Sequence, residues 1–460
     1  MGPGTVGSVP AMPDQNAVFK AYDVRGRVPE ELDEPLAEAI GRAFARLVRR
    51  NEPGTDRVAL GRDMRPSGVP LAAAFTRGLV AEGFGVIDLG LASTDLVYFA
   101  SGHLDVPAAI LTASHNPAGY NGMKLCLSGA RPVGHDTGLS QMAAEVAGGF
   151  DDGPGGGSTT SRDLLPAFVD HVRSFVDLET LRPLRVVADT ANGMGGLVVP
   201  AVFAGLPFEL DLLYPELDGT FPNHPADPIQ PENLRDLQAR VLDTGADVGL
   251  AFDGDADRVF LVDEQARPVS GSTTTALVAS GVLRREPGAT VLYNLICSRA
   301  VPEVIAENGG RAVRTRVGHS IIKQAMVEEG AAFAGEHSGH YYFRDNYRAD
   351  SGLIAALLVL EALSEFDGPM SDLLAPYERY AASGERNTSV GDPAAVIDRV
   401  AAHYADWPQD RLDGLTVDLG DWWFNVRPSN TEPLLRLNVE AADEATCQVR
   451  VAEVQAVVGQ

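Results

Sequence analysis

Apolar positions recur every three to four residues across ELDEPLAEAIGRAFARLVRR (31–50), a spacing that predicts an amphipathic helix. RVALGRD (57–63) and GVIDLG (85–90) are short apolar runs that read as strands, and VPLAAAFTRGLVAEGF between them reads as a helix. The same alternation continues. VPAAIL (106–111) is a buried strand. LRPLRVVADTANGMGG (181–196) is a strand, a glycine-bearing turn and a helix start. ADVGLAFDGDADRVFLVDE (246–264) is strand, acidic loop, strand. PGATVLYNLICSRAVPEVIAENG (287–309) is strand, polar tip, helix, and GAAFAGEHSGHYYFRD (330–345) is a strand running into a glycine-flanked loop. Strands alternating with helices imply mostly parallel sheets with helical cover. The strand–tip–helix event at 58–80, 185–205 and 290–307 predicts three related α/β domains. After about residue 377 the pattern changes. RLDGLTVDLGDWWFNVRPSNTEPLLRLNVEA (411–441) alternates like antiparallel strands, and a last helix is expected at 441–458, giving a smaller α+β domain suited to act as a lid. The expected boundaries are 1–158, 159–265, 266–376 and 377–460, with GFDDGPGGGSTT (149–160) as the clearest linker.

At 460 residues the chain exceeds what a single core serves, which agrees with several domains. Its 37 basic and 63 acidic residues give a net charge of -26, which excludes a general nucleic-acid surface but leaves room for a local arginine cluster that binds an anion. Cys126, Cys297 and Cys447 are too widely spaced for a disulfide framework or a zinc site, so a reducing, cytoplasmic setting is expected. No apolar run reaches membrane length, and no basic segment followed by an apolar one opens the chain. The expected partner is therefore a small molecule, with no nucleic acid, membrane or obligate protein partner.

Four clusters carry candidate chemistry. In TASHNPAGYNGMK (112–124), Ser114 stands where a strand empties into a loop, beside His115 and ten residues before Lys124. It reads as a covalent carrier of an anionic group or as an ordinary turn serine, and Lys124 as its partner or as a surface lysine. No G-x-S-x-G elbow surrounds it, so ester hydrolysis fits poorly. In DGDADR, extended geometry would send Asp253, Asp255 and Asp257 the same way, a convergence that calls for a hard cation such as Mg²⁺ or Ca²⁺. A calcium-binding loop is contradicted by Arg258 at its glycine position and by the strand that follows; a solvated acidic turn is the plain alternative. RPSNTEP gathers Arg427, Ser429, Asn430 and Thr431 into a loop able to hold a phosphate, against a simple turn around Pro428. Glu336 and Ser338 in GEHSGH suit adjacent sugar hydroxyls. His337 and His340 lack a third ligand at zinc spacing. Arg25, Arg62 and Arg258 are further anion contacts, and His319 is a proton-transfer or phosphate contact, or else a helix cap.

These segments, TASHNPAGYNGMK, DGDADR, GEHSGH and RPSNTEP, stand in the order found in the α-D-phosphohexomutase superfamily, and the chain resembles its bacterial phosphomannomutase/phosphoglucomutase group along nearly its whole length. The resemblance implies a heart-shaped arrangement of three related mixed-sheet α/β domains and a smaller C-terminal α+β domain. It implies a phosphorylated Ser114, with Mg²⁺ held by that phosphate and by Asp253, Asp255 and Asp257. Lys124 is then an acid/base residue assisted by His319, and Arg25 supports the reacting phosphate near the metal loop. Tyr22 and Arg258 contact the substrate, Glu336 and Ser338 hold the sugar hydroxyls, and Arg427, Ser429, Asn430 and Thr431 grip the phosphate that is not transferred. The implied reaction interconverts hexose 6-phosphate and hexose 1-phosphate through a hexose 1,6-bisphosphate that turns end for end within the enzyme. Mannose phosphates are the favoured substrates, with a dual mannose/glucose or a glucose enzyme as alternatives. PNHPADP (222–228) departs from the family's usual PNHHPDP. A metal-dependent phosphosugar phosphatase and a non-catalytic sugar-phosphate sensor are the competing readings from other functional classes.

Overall fold

Asp33 opens the first long helix, Glu34–Asn51, by accepting the Leu36 N–H, and Pro35 occupies its first turn, where an N–H would have no helical partner. The stripe Ile40, Phe44, Leu47 and Val48 is buried, and the helix lies along a second one, Gly68–Ala81. Such pairs cover the faces of the sheets. The computed structural model describes residues 15–429 and 434–459, and these build four sheets.

The first sheet runs Val24–Arg27, Tyr120–Leu127, Ala108–Leu111, Arg57–Arg62, Gly85–Leu91, Thr159–Ser161, with Arg131–Pro132 beside Tyr120–Leu127. Its centre is parallel, and Tyr120–Leu127 pairs antiparallel on both sides, setting Lys124 opposite Ile110 and Arg25 opposite Gly122. The second sheet, Pro268–Val269, Val259–Asp263, Val248–Phe252, Arg185–Asp189, Glu209–Leu213, is likewise mixed. So is the third, Arg311–Thr315, Thr290–Asn294, Phe333–Gly335, Tyr341–Phe343. The fourth is antiparallel throughout, centred on Trp422–Pro428 and Leu434–Ala441 and backed by the helices Pro393–His403 and Glu444–Val458. The fold is therefore three α/β units followed by a smaller α+β unit. Trp422 and Trp423 are buried, and the Trp423 indole N–H donates to Glu440 Oε1 at 2.7 Å.

The glycine-rich stretch expected to be a linker is laid against the first unit. Gly155 N bonds to Ala81 O, and the segment ends in Thr159–Ser161, which pairs with Gly85–Leu91. One buried apolar cluster runs through all three α/β units, from Phe99 through Phe168 and Val198 to Leu353, whereas the last unit has a core of its own around Phe424, Val439 and Val454. The helix Thr94–Leu104, capped by Ser93, joins the three. Thr94 bonds to Asp255 of the second unit, and Asp95 accepts a hydrogen bond from Ser351, the cap of the third unit's helix Gly352–Glu365. Among the described residues no helix is long and apolar enough to cross a membrane.

Candidate active site

The strand Ala108–Leu111 delivers Thr112 and Ser114 to the tip of the first sheet. Ser114 is only 4 % exposed and takes a left-handed backbone, φ 48°. Its N–H is held by Thr112 Oγ1 at 2.9 Å, and its hydroxyl donates to Asp253 Oδ2 at 2.8 Å, with His115 Nδ1 3.2 Å away. The acidic loop therefore touches the serine directly. Gly254 permits that approach, because a β-carbon there would lie 2.4 Å from the Ser114 carbonyl oxygen.

The acidic loop is not extended as its alternation predicts. Ala256 N closes a turn on Asp253 O, and Ala256 itself is left-handed at φ 60°. The three carboxylates still converge, with oxygens within 4.8 Å of one another, because the turn wraps them around one point. All three are buried. Lys124 bridges Asp255 Oδ2 at 2.7 Å and Asp257 Oδ2 at 2.6 Å, while Arg258 Nε holds Asp253 Oδ2 at 2.8 Å. Burial alone would depress the Lys124 ammonium, but Asp255 and Asp257 outweigh it and hold its pKa well above the ordinary lysine value. Burial raises Asp253 to about 6, and burial with the charge of Asp255 raises Asp257 to about 7. Asp255 Oδ1 and Asp257 Oδ1 are buried without a hydrogen-bond partner. Hard oxygen donors, two of them unsatisfied and all within a few ångströms, fit a small divalent cation.

Arg258 and His340 form an isolated antiparallel bridge, so the acidic loop and the GEHSGH loop are tied through their backbones. Burial raises the Glu336 carboxyl, which accepts from Asn294 Nδ2 at 3.0 Å and from the Tyr342 hydroxyl at 2.7 Å. Ser338 Oγ lies 3.0 Å from His340 Nδ1, and His340 Nε2 lies 3.9 Å from Asp257 Oδ1. Burial lowers His340 to about 4 and His337 to about 3, the latter helped by the Arg427 charge. His319 heads the helix His319–Glu329 without capping it. Its Nδ1 is buried and unpartnered, and burial, then Lys323, keep the ring neutral well below the usual histidine value. Tyr22 meets that ring edge-on at 5.4 Å and donates to Val317 O at 3.2 Å. Arg25 lies against the serine loop, donating to Asn116 Oδ1 at 2.6 Å.

Arg427 is 5 % exposed and donates to Glu385 Oε2 at 3.0 Å; Glu385 Oε1 is 3.2 Å from Arg436 Nη1, and Arg436 Nη2 donates to Ser429 Oγ at 3.4 Å. Asn430 and Thr431 lie outside the described residues. Two guanidinium groups thus share one carboxylate, each with a buried, unpartnered Nε.

Models of the phosphoglucomutase/phosphomannomutase α/β/α domains I, II and III match residues 16–147, 166–267 and 270–380, and that of the C-terminal domain matches 385–456. The chain belongs to this family. It is 42% identical over 445 residues to the phosphohexose mutases of Xanthomonas campestris pv. campestris, covering 95% of this chain and 98% of that one. It is 41% identical over 450 residues to the phosphomannomutase of Salmonella montevideo, covering 95% and 97%. A crystal structure of a phosphoglucomutase/phosphomannomutase family protein from Burkholderia thailandensis matches with a TM-score of 0.87 at 34% identity, covering 97% of each chain.

Several site neighbours escaped the sequence reading. Thr94, Arg65, Asn294, Glu385 and Arg436 reach the clusters only through folding, and no spacing in the chain marks them. The altered PNHPADP segment also reaches the site, since Asp227 Oδ1 lies 3.7 Å from Arg258 Nη1.

Proposed function

We propose that the chain interconverts mannose 6-phosphate and mannose 1-phosphate, with glucose phosphates as secondary substrates, by carrying a phosphoryl group on Ser114. The observation that carries this reading is the Ser114 hydroxyl at 2.8 Å from Asp253, inside a buried cluster of three carboxylates, one lysine and one arginine. The mannose assignment is supported by relatives named phosphomannomutase at 37% to 42% identity, among them those of Salmonella typhimurium, Escherichia coli K12 and Vibrio cholerae.

In the forward direction the Ser114 Oγ–P bond breaks and a P–O bond forms to the sugar 1-hydroxyl, giving mannose 1,6-bisphosphate and free serine. The bisphosphate turns end for end, the 6-phosphoryl group passes to Ser114, and mannose 1-phosphate leaves. Asp253, Asp255 and Asp257 would hold Mg²⁺ beside the phosphoserine, and the ion would neutralise charge on the transferring group. Lys124 is the acid/base candidate at the serine and, held as an ammonium, offsets negative charge on the departing serine oxygen, with His319 assisting. Arg25 and Arg258 support the reacting phosphate. Glu336 and Ser338 hold the sugar, with Tyr22 lining the same side. Arg427, Ser429, Asn430 and Thr431 grip the other phosphate, and Arg436 adds a second guanidinium to that grip. The separate core of the last unit lets it open for reorientation and close against water. A trace of bisphosphate would keep Ser114 charged when an intermediate escapes.

Intact-mass measurement should find a phosphate that maps to Ser114, and Ser114→Ala should lose at least ~10³-fold in mutase kcat. A fully active alanine variant would sink the reading. Phosphate release equal to substrate loss would make the protein a phosphatase instead. Comparing kcat/KM for mannose 1-phosphate, glucose 1-phosphate and glucosamine 1-phosphate tests the substrate assignment.

A further inference from the structure

Arg65 is the largest fully buried side chain in the structure, 0 % exposed, and it sits just behind the serine loop. A guanidinium carries five N–H donors in a fixed plane and accepts nothing. Here each one has an acceptor. Nε donates to Asp63 Oδ2 at 3.1 Å. Nη1 donates to the carbonyls of Pro117 and Tyr120, both at 2.9 Å. Nη2 donates to the carbonyls of Ser114 at 2.8 Å and Asn116 at 2.6 Å. Four carbonyls of one loop are therefore turned inward onto a single cation. Without it the buried Ser114 carbonyl would have nothing to accept, and the half-buried carbonyls of Asn116, Pro117 and Tyr120 would be free to turn out to water. Asp63, also 0 % exposed, neutralises the guanidinium and caps the Arg65 N–H at 2.9 Å.

The same loop holds Ser114 in its left-handed conformation, φ 48°, which a non-glycine residue adopts only where its surroundings enforce it. The second unit closes over the back of this pin. The Phe221 ring centroid is 5.1 Å from the Arg65 guanidinium carbon, and Gly219 lies so close that a β-carbon there would sit 2.6 Å from Arg65 Cα.

We propose that Arg65 is a positioning residue for the phosphoryl carrier: with every donor spent on Asp63 and the loop carbonyls, it does not touch substrate but fixes the backbone that aims Ser114 Oγ at the acidic cluster. This rests on the reading of Ser114 as the carrier. Lysine cannot replace it, because an ammonium is a point donor with three N–H groups and cannot meet five coplanar acceptors.

The test uses the full chain with Mg²⁺ and glucose 1,6-bisphosphate. Arg65→Lys, with activity normalised to the folded fraction, should lose at least ~10²-fold in kcat and in the rate at which Ser114 gains phosphate by intact mass, because misplacing a reacting atom by about an ångström has that effect. KM for the hexose phosphate should change less than about threefold. A lysine variant with wild-type kcat and Ser114 phosphorylation overturns the proposal, as does a loss that appears in KM alone. Should Arg65→Lys fail to fold, Phe221→Leu touches the pin only from the second unit. It should lower kcat about 3- to 10-fold at unchanged KM, and an unchanged kcat overturns the proposal. A wild-type protein that never gains phosphate on Ser114 would instead defeat the carrier reading, and these two failures are told apart by the wild-type lane of the same experiment.

Discussion

Asp257 shows how the site's electrostatics set its chemistry. Its Oδ2 is tied to Lys124 while its Oδ1 is buried and unpartnered, and its pKa is raised to about 7 by burial and then by Asp255. Without a metal and below about pH 7, asparagine resembles the protonated acid, so at pH 6 Asp257→Asn should fold with a metal-free melting temperature close to wild type. With Mg²⁺ it withholds one charged oxygen. The Mg²⁺ concentration for half-maximal activity should rise at least ~10-fold, since a lost charged contact is worth more than about 1.4 kcal/mol. The stabilisation that wild type gains from Mg²⁺ should shrink in parallel. A Mg²⁺ titration of kcat together with thermal melts checks this, and an unchanged requirement would remove Asp257 from the metal site. EDTA should abolish wild-type turnover and added Mg²⁺ restore it. The acidic triplet is legible in the chain because it is contiguous and such residues have few other reasons to converge, whereas Ser114 and Lys124 alone read equally as a turn serine and a surface lysine and stand out only through the order of the four segments. Arg65 and Arg436 are not legible. Arg65 follows a strand tip like any turn arginine, and only the fold shows that four carbonyls face it.

At the level of elements, hydrophobic period read the alternation of strands and helices well, because burial on one face is what that period encodes. It failed where backbone handedness decides. Alternation in DGDADR predicted an extended segment, but Ala256 is left-handed and the segment turns, a conformation that carries no sequence mark in a residue other than glycine or asparagine. The helix Thr94–Leu104 was equally unmarked, yet its first turn joins three units. Asp95 there is wholly buried, bonded by Ser93 and by Ser351 at 2.8 Å, and its pKa is pushed up to about 7, chiefly by burial. A carboxyl whose folded pKa lies above its unfolded value near 4 stabilises the fold as the protonated acid. That contribution is complete below about pH 4 and is lost as pH climbs through 7. Asp95→Asn does not titrate. Its melting temperature relative to wild type should therefore rise between pH 4 and 7 and level off above about pH 8. Melts of both proteins across this range check it, and a pH-independent difference would show that Asp95 does not couple folding to protons.

In the whole molecule, the three α/β units share one apolar core while the fourth is packed on its own, so the seam to the fourth is held by other forces. Those forces are charged. Arg299 Nη2 meets Asp418 at 2.6 Å and the Arg299 N–H donates to Glu440 at 3.0 Å; Arg314 pairs with Asp410 across the same seam. The Asp418 side chain is 58% exposed and that of Asp410 38%, so each pair is worth at most about 1 kcal/mol and is screened by salt. A seam this weak can open and close within a turnover, as the proposed reversal of a bisphosphate would require, and it leaves the closed form only modestly favoured. Removing both arginines should then shift the balance toward open without unfolding anything. The double variant Arg299→Ala/Arg314→Ala should show a larger radius of gyration by small-angle scattering and a main thermal transition within about 3 °C of wild type, since ~1 kcal/mol moves a protein of this size only that far. KM for the phosphosugar should rise about 3- to 10-fold, the equivalent of roughly 1 kcal/mol of lost closure. Added salt should raise KM more steeply in wild type than in the variant, because the variant has already lost two of the pairs that salt screens, while Arg379 still meets Glu303 and Glu307. Equal dimensions and equal KM in the two proteins would mean that the seam is held by something other than these charges, and that closure is not what they control.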